Sequence, residues 1–196
     1  VLRVGERAAA CGVISQAYLN ALCVAGIHGN TTTTAMATHS FMAAQADPTV
    51  RVGGTLPLLH SGYRVGRGDT IILESCEYCN SFLNFFPTVA VILNVHADHL
   101  DFFKNLNDIE HSFRQFACLT PENGFIIANR AAPGAREALR GLDRKAYRFS
   151  VNDRKADVYA DNVAFFAGSG CFFVFADGHT FAPLHSHVPR SPQLSY

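Results

Sequence analysis

Three continuous apolar runs, at residues 70–73, 88–93 and 125–128, constrain the fold of this chain more than any other feature. None alternates polar with apolar residues, so none reads as a strand with one wet face. A run that is apolar at every position is buried on both faces, the condition of a strand inside a parallel sheet. Residues 21–25, directly before Gly26, form a fourth candidate. Helical stretches separate these runs. Residues 31–46 are rich in Ala and lack Gly and Pro; residues 107–119 place Ile109, Phe113 and Phe116 on one face. Asn107 is the predicted cap of that second helix, with Glu110 completing a capping box, and Thr120-Pro121 stops it. Residues 135–142 give a shorter helix. Strands alternating with helices predict an α/β fold with a mostly parallel sheet and flanking helices. After about residue 150 the pattern changes: 157–166 and 171–175 read as a small antiparallel β element around Gly168-Ser169-Gly170.

The bulk properties narrow the partners. In 196 residues, 48% are hydrophobic and 16% charged, as in a globular chain with a core rather than a disordered one. Lys plus Arg equals Asp plus Glu at 16 each, so no whole-chain field favours nucleic acid or an anionic membrane. No run of about 18 apolar residues predicts a membrane span. The first residues lack both Met and a signal-peptide pattern, consistent with an internal start. A chain of this size with a real core has no need of a disulfide framework. The six cysteines, at 11, 23, 76, 79, 118 and 171, therefore read as reduced thiols of a cytoplasmic protein, with Cys23, Cys118 and Cys171 in apolar surroundings.

The strongest local signal is Val24-Ala25-Gly26-Ile27-His28-Gly29-Asn30-Thr31-Thr32-Thr33-Thr34. A strand runs into a Gly-containing turn and then into a helix start rich in hydroxyls. That arrangement aims backbone N–H groups and the positive end of a helix dipole at an anion. It is a phosphate loop (P-loop) with two departures: the place of the loop's first Gly holds Val24, and the place of its Lys holds Asn30. Asn is neutral and too short to reach β- and γ-phosphates as Lys does. Thr31 is in position to ligate Mg²⁺ through its hydroxyl.

Three blocks together resemble the Mur ligases. Gly26-Ile27-His28-Gly29-Asn30-Thr31-Thr32-Thr33-Thr34 is similar to the loop of the alanine-adding member, His28 pointing to that member. Glu74-Ser75-Cys76-Glu77-Tyr78-Cys79-Asn80-Ser81-Phe82-Leu83 resembles the family's second block, and Asn94-Val95-His96-Ala97-Asp98-His99-Leu100-Asp101 its third. The resemblance implies the central domain of an ATP-dependent amide ligase of peptidoglycan precursor synthesis. In that chemistry a substrate carboxylate takes the γ-phosphoryl group of ATP, giving an acyl phosphate and ADP. An amine then displaces phosphate. The implied substrates are UDP-N-acetylmuramate and L-alanine, and the implied cofactors ATP and Mg²⁺.

By the same resemblance, Gly26, Ile27, His28, Gly29, Asn30, Thr31 and Thr32 would bind nucleotide, and Thr31, Glu74 and His99 the metal. Asn30, His28, Glu74 and His99 would form the catalytic set, with His28 against the phosphates or the muramyl substrate. Glu77, taken as one helical turn beyond Glu74, would add a carboxylate. Asp98 and Asp101 read as turn caps, the Phe82, Phe85, Phe86, Phe102 and Phe103 group as packing, and His96 takes no role. The implied organisation is a remnant of an N-terminal domain and linker at 1–20, the ATP-binding domain at 21–184, and a truncated or non-native tail at 185–196. In that tail Val188-Pro189-Arg190-Ser191-Pro192-Gln193 stands where the family has Pro-Gly-Arg-His-Asn. The amino-acid-binding domain would then be absent.

Other assignments compete. The same fold without catalysis would follow from Asn30. Cys76-x-x-Cys79 and His96-x-x-His99 resemble a zinc module, although the apolar run between the pairs and the short His spacing count against it. A folylpolyglutamate synthase relative is opposed by His28 and the Glu-x-x-Glu-Tyr block.

Overall fold

The computed structural model describes residues 6–166 and 169–186. In chain order the elements are α1 (Arg7–Ser15), β1 (Asn20–Ala25), α2 (Asn30–Ala43), β2 (Thr49–Leu56), β3 (Ser61–Arg64) and β4 (Thr70–Glu74). A 3₁₀ segment (Tyr78–Asn84) follows, then β5 (Val89–Ile92), α3 (Leu106–Cys118), β6 (Phe125–Asn129), α4 (Pro133–Ala138) and β7 (Ala146–Val151). The chain continues with β8 (Val158–Phe166), β9 (Ser169–Ala176), β10 (His179–Thr180) and β11 (Leu184–Ser186).

The described strands form one sheet in the order β10-β9-β8-β7-β6-β5-β1-β4-β2-β3, with β11 on β9. From β2 to β8 every neighbouring pair runs parallel. The pairings of β3 with β2 and of β8, β10 and β11 with β9 are antiparallel. The fold is thus α/β with a mostly parallel sheet and an antiparallel C-terminal element. The β1 strand lies between β4 and β5, and the register pairs Val24 with Glu74 and Ala25 with Ile92. The carboxyl ends of β1, β4 and β5 therefore reach one edge together, where an open α/β sheet holds its ligand.

Burial explains the apolar runs. Ala21, Cys23, Ala25, Ile71, Leu73, Ala90, Ile92, Ile126 and Ala128 all enter one cluster with Ile109, Phe113, Phe116 and Ala117 of α3. The alternate residues Val24, Val50, Val52 and Ile72 are buried as well, and α2 packs on β1, β2 and β4. In α2 the buried positions are Thr34 and Thr38, whose hydroxyls donate to the carbonyls of Asn30 and Thr34 one turn back, each at 2.8 Å. That back-bonding is how polar residues sit inside a helix against a sheet without stranding a hydroxyl. At the centre of the other face Phe82 lies between Phe113, edge-on at 5.2 Å, and Phe116, stacked at 4.7 Å.

Four local expectations change. The cap of α3 is Asn105, not Asn107: its side chain accepts the Asp108 N–H at 3.0 Å, while Asp108 reaches back to the Lys104 N–H at 3.1 Å. The reciprocal box is formed two residues earlier by Asn and Asp, and Glu110 lies inside the helix. Glu77 is not a helical turn beyond Glu74, because Ser75, Cys76 and Glu77 are irregular and the 3₁₀ segment begins at Tyr78. Phe86 is half exposed, whereas Phe82, Phe85 and Phe103 are buried and Phe102, though half exposed, packs on Tyr78 and Phe103 as a loop residue. Cys118 is exposed, whereas Cys23 is buried; none of the six cysteines is disulfide-bonded. Residues 1–5 and the tail from 187 onward lie outside the described residues, so neither the 1–5 part of the N-terminal segment nor the 188–193 departure is placed. No described helix is long and apolar enough to cross a membrane.

Candidate functional site

The turn after β1 carries the predicted phosphate loop. Gly29 has φ +82°, a left-handed conformation that a side chain would strain, and it turns the chain into α2. The loop is tied to the segment after β5. The Asn94 side chain accepts the His28 N–H at 2.9 Å and donates to the His28 carbonyl at 2.8 Å. Asn94 thus fixes the backbone of His28 from both sides, and the first and third sequence blocks meet there.

Asn30 does not extend outward as a Lys would. Its side-chain oxygen accepts the N–H of Thr31 at 2.8 Å. The donor it occupies is one of the free amides at the start of a helix, the groups such a loop offers to phosphate.

Thr31 and Glu74 come together: the Thr31 hydroxyl donates to Oε1 of Glu74 at 2.7 Å. Gly53 in β2 donates its N–H to Oε2 of the same carboxylate. A Cβ on Gly53 would lie 2.8 Å from Oε1, so Gly makes the room in which Glu74 sits. The carboxylate has a fixed orientation across the end of the sheet.

His99 is held by a different set of contacts. Its Nε2 lies 3.2 Å from Oε1 of Glu77, and Glu77 is 2% exposed. The Tyr78 ring lies 5.0 Å from the His99 ring, and the Tyr78 hydroxyl donates to Asp101 at 2.8 Å. Asp98 accepts the His99 N–H at 2.7 Å, so Asp98 serves the turn as expected. Burial pushes the Glu77 carboxyl above its ordinary range, with the nearby Asp98 adding to the rise and His99 opposing it. The hydrogen bond to Asp101 pushes the Tyr78 phenol up.

His96, which the sequence leaves without a role, stacks near the His28 ring at 6.3 Å. His99, by contrast, faces Glu77. Among the described residues no group of three or more His, Cys, Asp and Glu side chains is arranged to hold a metal. The zinc module of Cys76, Cys79, His96 and His99 is therefore corrected: zinc needs a closed four-ligand cage, and these four do not form one. A magnesium site is built differently. It takes one or two carboxylates, a hydroxyl, waters and phosphate oxygens. The Thr31–Glu74 pair, oxygen donors in contact at the mouth of the loop, fits that pattern.

A family model described as Mur ligase middle domain matches residues 24–189. The chain belongs to the Mur ligase family. It is 39% identical over 189 residues to a UDP-N-acetylmuramate–L-alanine ligase of Clostridium novyi, covering 96% of this chain and 41% of that protein. It is 45% identical over 159 residues to a protein of the same name from Agathobacter rectalis, covering 81% of this chain and 34% of that one. The chain thus spans about two fifths or less of these Mur ligase relatives. Two solved structures share the fold. The UDP-N-acetylmuramate-alanine ligase of Thermotoga maritima gives a TM-score of 0.76 at 22% identity, over 93% of this chain and 40% of that one. A Mur ligase of Thermotoga maritima solved with ADP gives 0.71 at 18% identity, over 94% and 45%.

The structure also brings in residues that the sequence did not assign. Gly53 was missed because a Gly in a strand of mixed polarity, β2, carries no pattern of its own. Asn94 stood inside a quoted block without a role; its amide, with a donor and an acceptor, was the available signal.

Proposed function

We propose that this chain is the ATP-binding part of a cytoplasmic ligase that joins L-alanine to UDP-N-acetylmuramate in peptidoglycan precursor synthesis. The observation that carries the proposal is the 2.7 Å contact between Thr31 of the first block and Glu74 of the second, at the carboxyl edge of the sheet. It supports an anion site with a divalent-cation position beside it. Backbone donors from Gly29 to Thr32 would cradle the phosphates, the N–H groups of Ile27 and His28 being held by Asn94. Thr31 and Glu74 would hold Mg²⁺, with His99 as a further ligand. Bound magnesium supplies charge neutralisation on the phosphates. Gly53 keeps Glu74 aimed, and Asn94 keeps the loop backbone around His28 in place. The names of the curated relatives support the substrate pair. The even charge balance supports a small-molecule role rather than nucleic-acid binding. Asn30 favours a second version of the same assignment, a domain of this fold with little or no transfer activity.

The test is a chimera. Residues 24–189 carrying Asn30→Lys replace the middle domain of a full-length relative, and ADP release is followed with each amino acid. The expected result is turnover that requires both UDP-N-acetylmuramate and L-alanine. Turnover that prefers another amino acid or another acceptor would show that the substrate assignment is wrong.

A further inference from the structure

The contact between Glu77 and His99 joins a buried carboxylate to a residue of the proposed metal set, and the phosphate-loop chemistry makes no use of it. Glu77 is 2% exposed, and its Oε2 is buried with no hydrogen-bond partner among the described residues. A carboxylate is costly in such a place unless its contacts serve the site around it. Among the described residues its side-chain partner is Nε2 of His99, at 3.2 Å.

We infer that Glu77 is a positioning residue that sets the tautomer of His99, so that Nδ1 is the atom offered to a divalent cation. A carboxylate can only accept. Nε2 of His99 must therefore carry the proton, and in a neutral imidazole that leaves the lone pair on Nδ1. The same relation, a carboxylate behind a metal-binding His, orients the ring and raises its basicity in metal sites generally.

The rest of His99 is held as firmly. Its φ is +51°, a left-handed conformation uncommon outside Gly. Its N–H is taken by Asp98, and its carbonyl accepts from Phe102 and Phe103, both at 2.9 Å. Tyr78, tilted 53° against the ring, limits its rotation on one side and is itself anchored on Asp101. Backbone and ring are thus fixed by separate contacts, and Glu77 is the one that decides which nitrogen is free.

This rests on the divalent-cation site under the proposed function, and two readouts keep the two apart. Nitrogen-15 NMR of the imidazole rings, with His99 assigned by His99→Gln, reads the tautomer without metal. The expected result is the Nε2–H form in the wild-type chain. Glu77→Gln keeps an acceptor oxygen and should keep that form, whereas Glu77→Ala should give a mixture. Manganese titration followed by its paramagnetic resonance signal reads the site, and Glu77→Ala should weaken binding by about 10–100-fold. An Nδ1–H tautomer in the wild type, or a tautomer unchanged in Glu77→Ala, overturns the proposal. Manganese that fails to bind, or binds equally with and without Glu77, overturns the ligand role of Nδ1. If equal binding is still lost in Glu74→Ala, the cation site beside the phosphate loop stands and only the part given to His99 falls.

Discussion

Ligase turnover in the chimera falls by about 10²–10³-fold when position 30 is returned from Lys to Asn, the loss typical of removing one positioned donor to developing charge. Two effects act in the same direction. The Asn30 amide carries no charge and cannot reach the β- and γ-phosphates, as the Lys of such loops does. Its oxygen also holds the Thr31 N–H at 2.8 Å, so a phosphate must displace it to use that donor. An Asn30→Ala form frees the donor without adding charge and should remain close to the Asn form. The measurement is kcat at saturating ATP for all three. A turnover with Asn30 within threefold of the Lys form would contradict the account of the loop.

Phe82→Ala lowers the thermal midpoint of the chain by about 6–20 °C. Phe82 is fully buried between Phe113 and Phe116, and emptying such a site costs about 3–5 kcal/mol, which in a domain of 150–250 residues amounts to that shift. Phe82 closes the segment that begins at Tyr78, beside Glu77, so its loss loosens the backbone under the Glu77–His99 pair as well. Phe86, half exposed and four residues on, serves as the control: Phe86→Ala changes stability by no more than about 0.5 kcal/mol. Circular dichroism melts of both variants make the comparison. Equal shifts would show that the Phe82 cluster is not the centre of the core.

What the sequence revealed depended on whether one element alone determined the answer. The strands β1, β4 and β5 were legible because most of their residues are buried on both faces, which leaves a continuous apolar run; β6 is as apolar in sequence, although only Ile126 and Ala128 of it are buried. The β2–β3 hairpin was not, since Val50-Arg51-Val52-Gly53-Gly54 of β2 mixes apolar, charged and glycine positions. The β7 strand was missed for a similar reason: Ala146–Val151 is largely half exposed. The α1 helix gave no signal because its segment was taken as linker, although it packs on the 3₁₀ segment. In the site, the loop and Glu74 were legible from the strands that lead into them. The partner of His99 was not. Glu77 and His99 lie 22 positions apart, and their meeting depends on the path after β4. That path turns through left-handed Cys79 and Asn80 instead of continuing as a helix. Sequence spacing fixes a pair on one helix or strand, and here the pair is made by two loops.

Calorimetric titration of Mg-ATP tests most directly whether the 26–32 loop is the nucleotide site. It is run on this chain, on Asn30→Lys, and on Asn30→Lys with Glu74→Ala, each first shown to be folded by circular dichroism. The account predicts that the Lys form binds more tightly than the Asn form and that loss of Glu74 removes most of the gain. A folded Lys form that binds no Mg-ATP, or binds it just as well without Glu74, would contradict it.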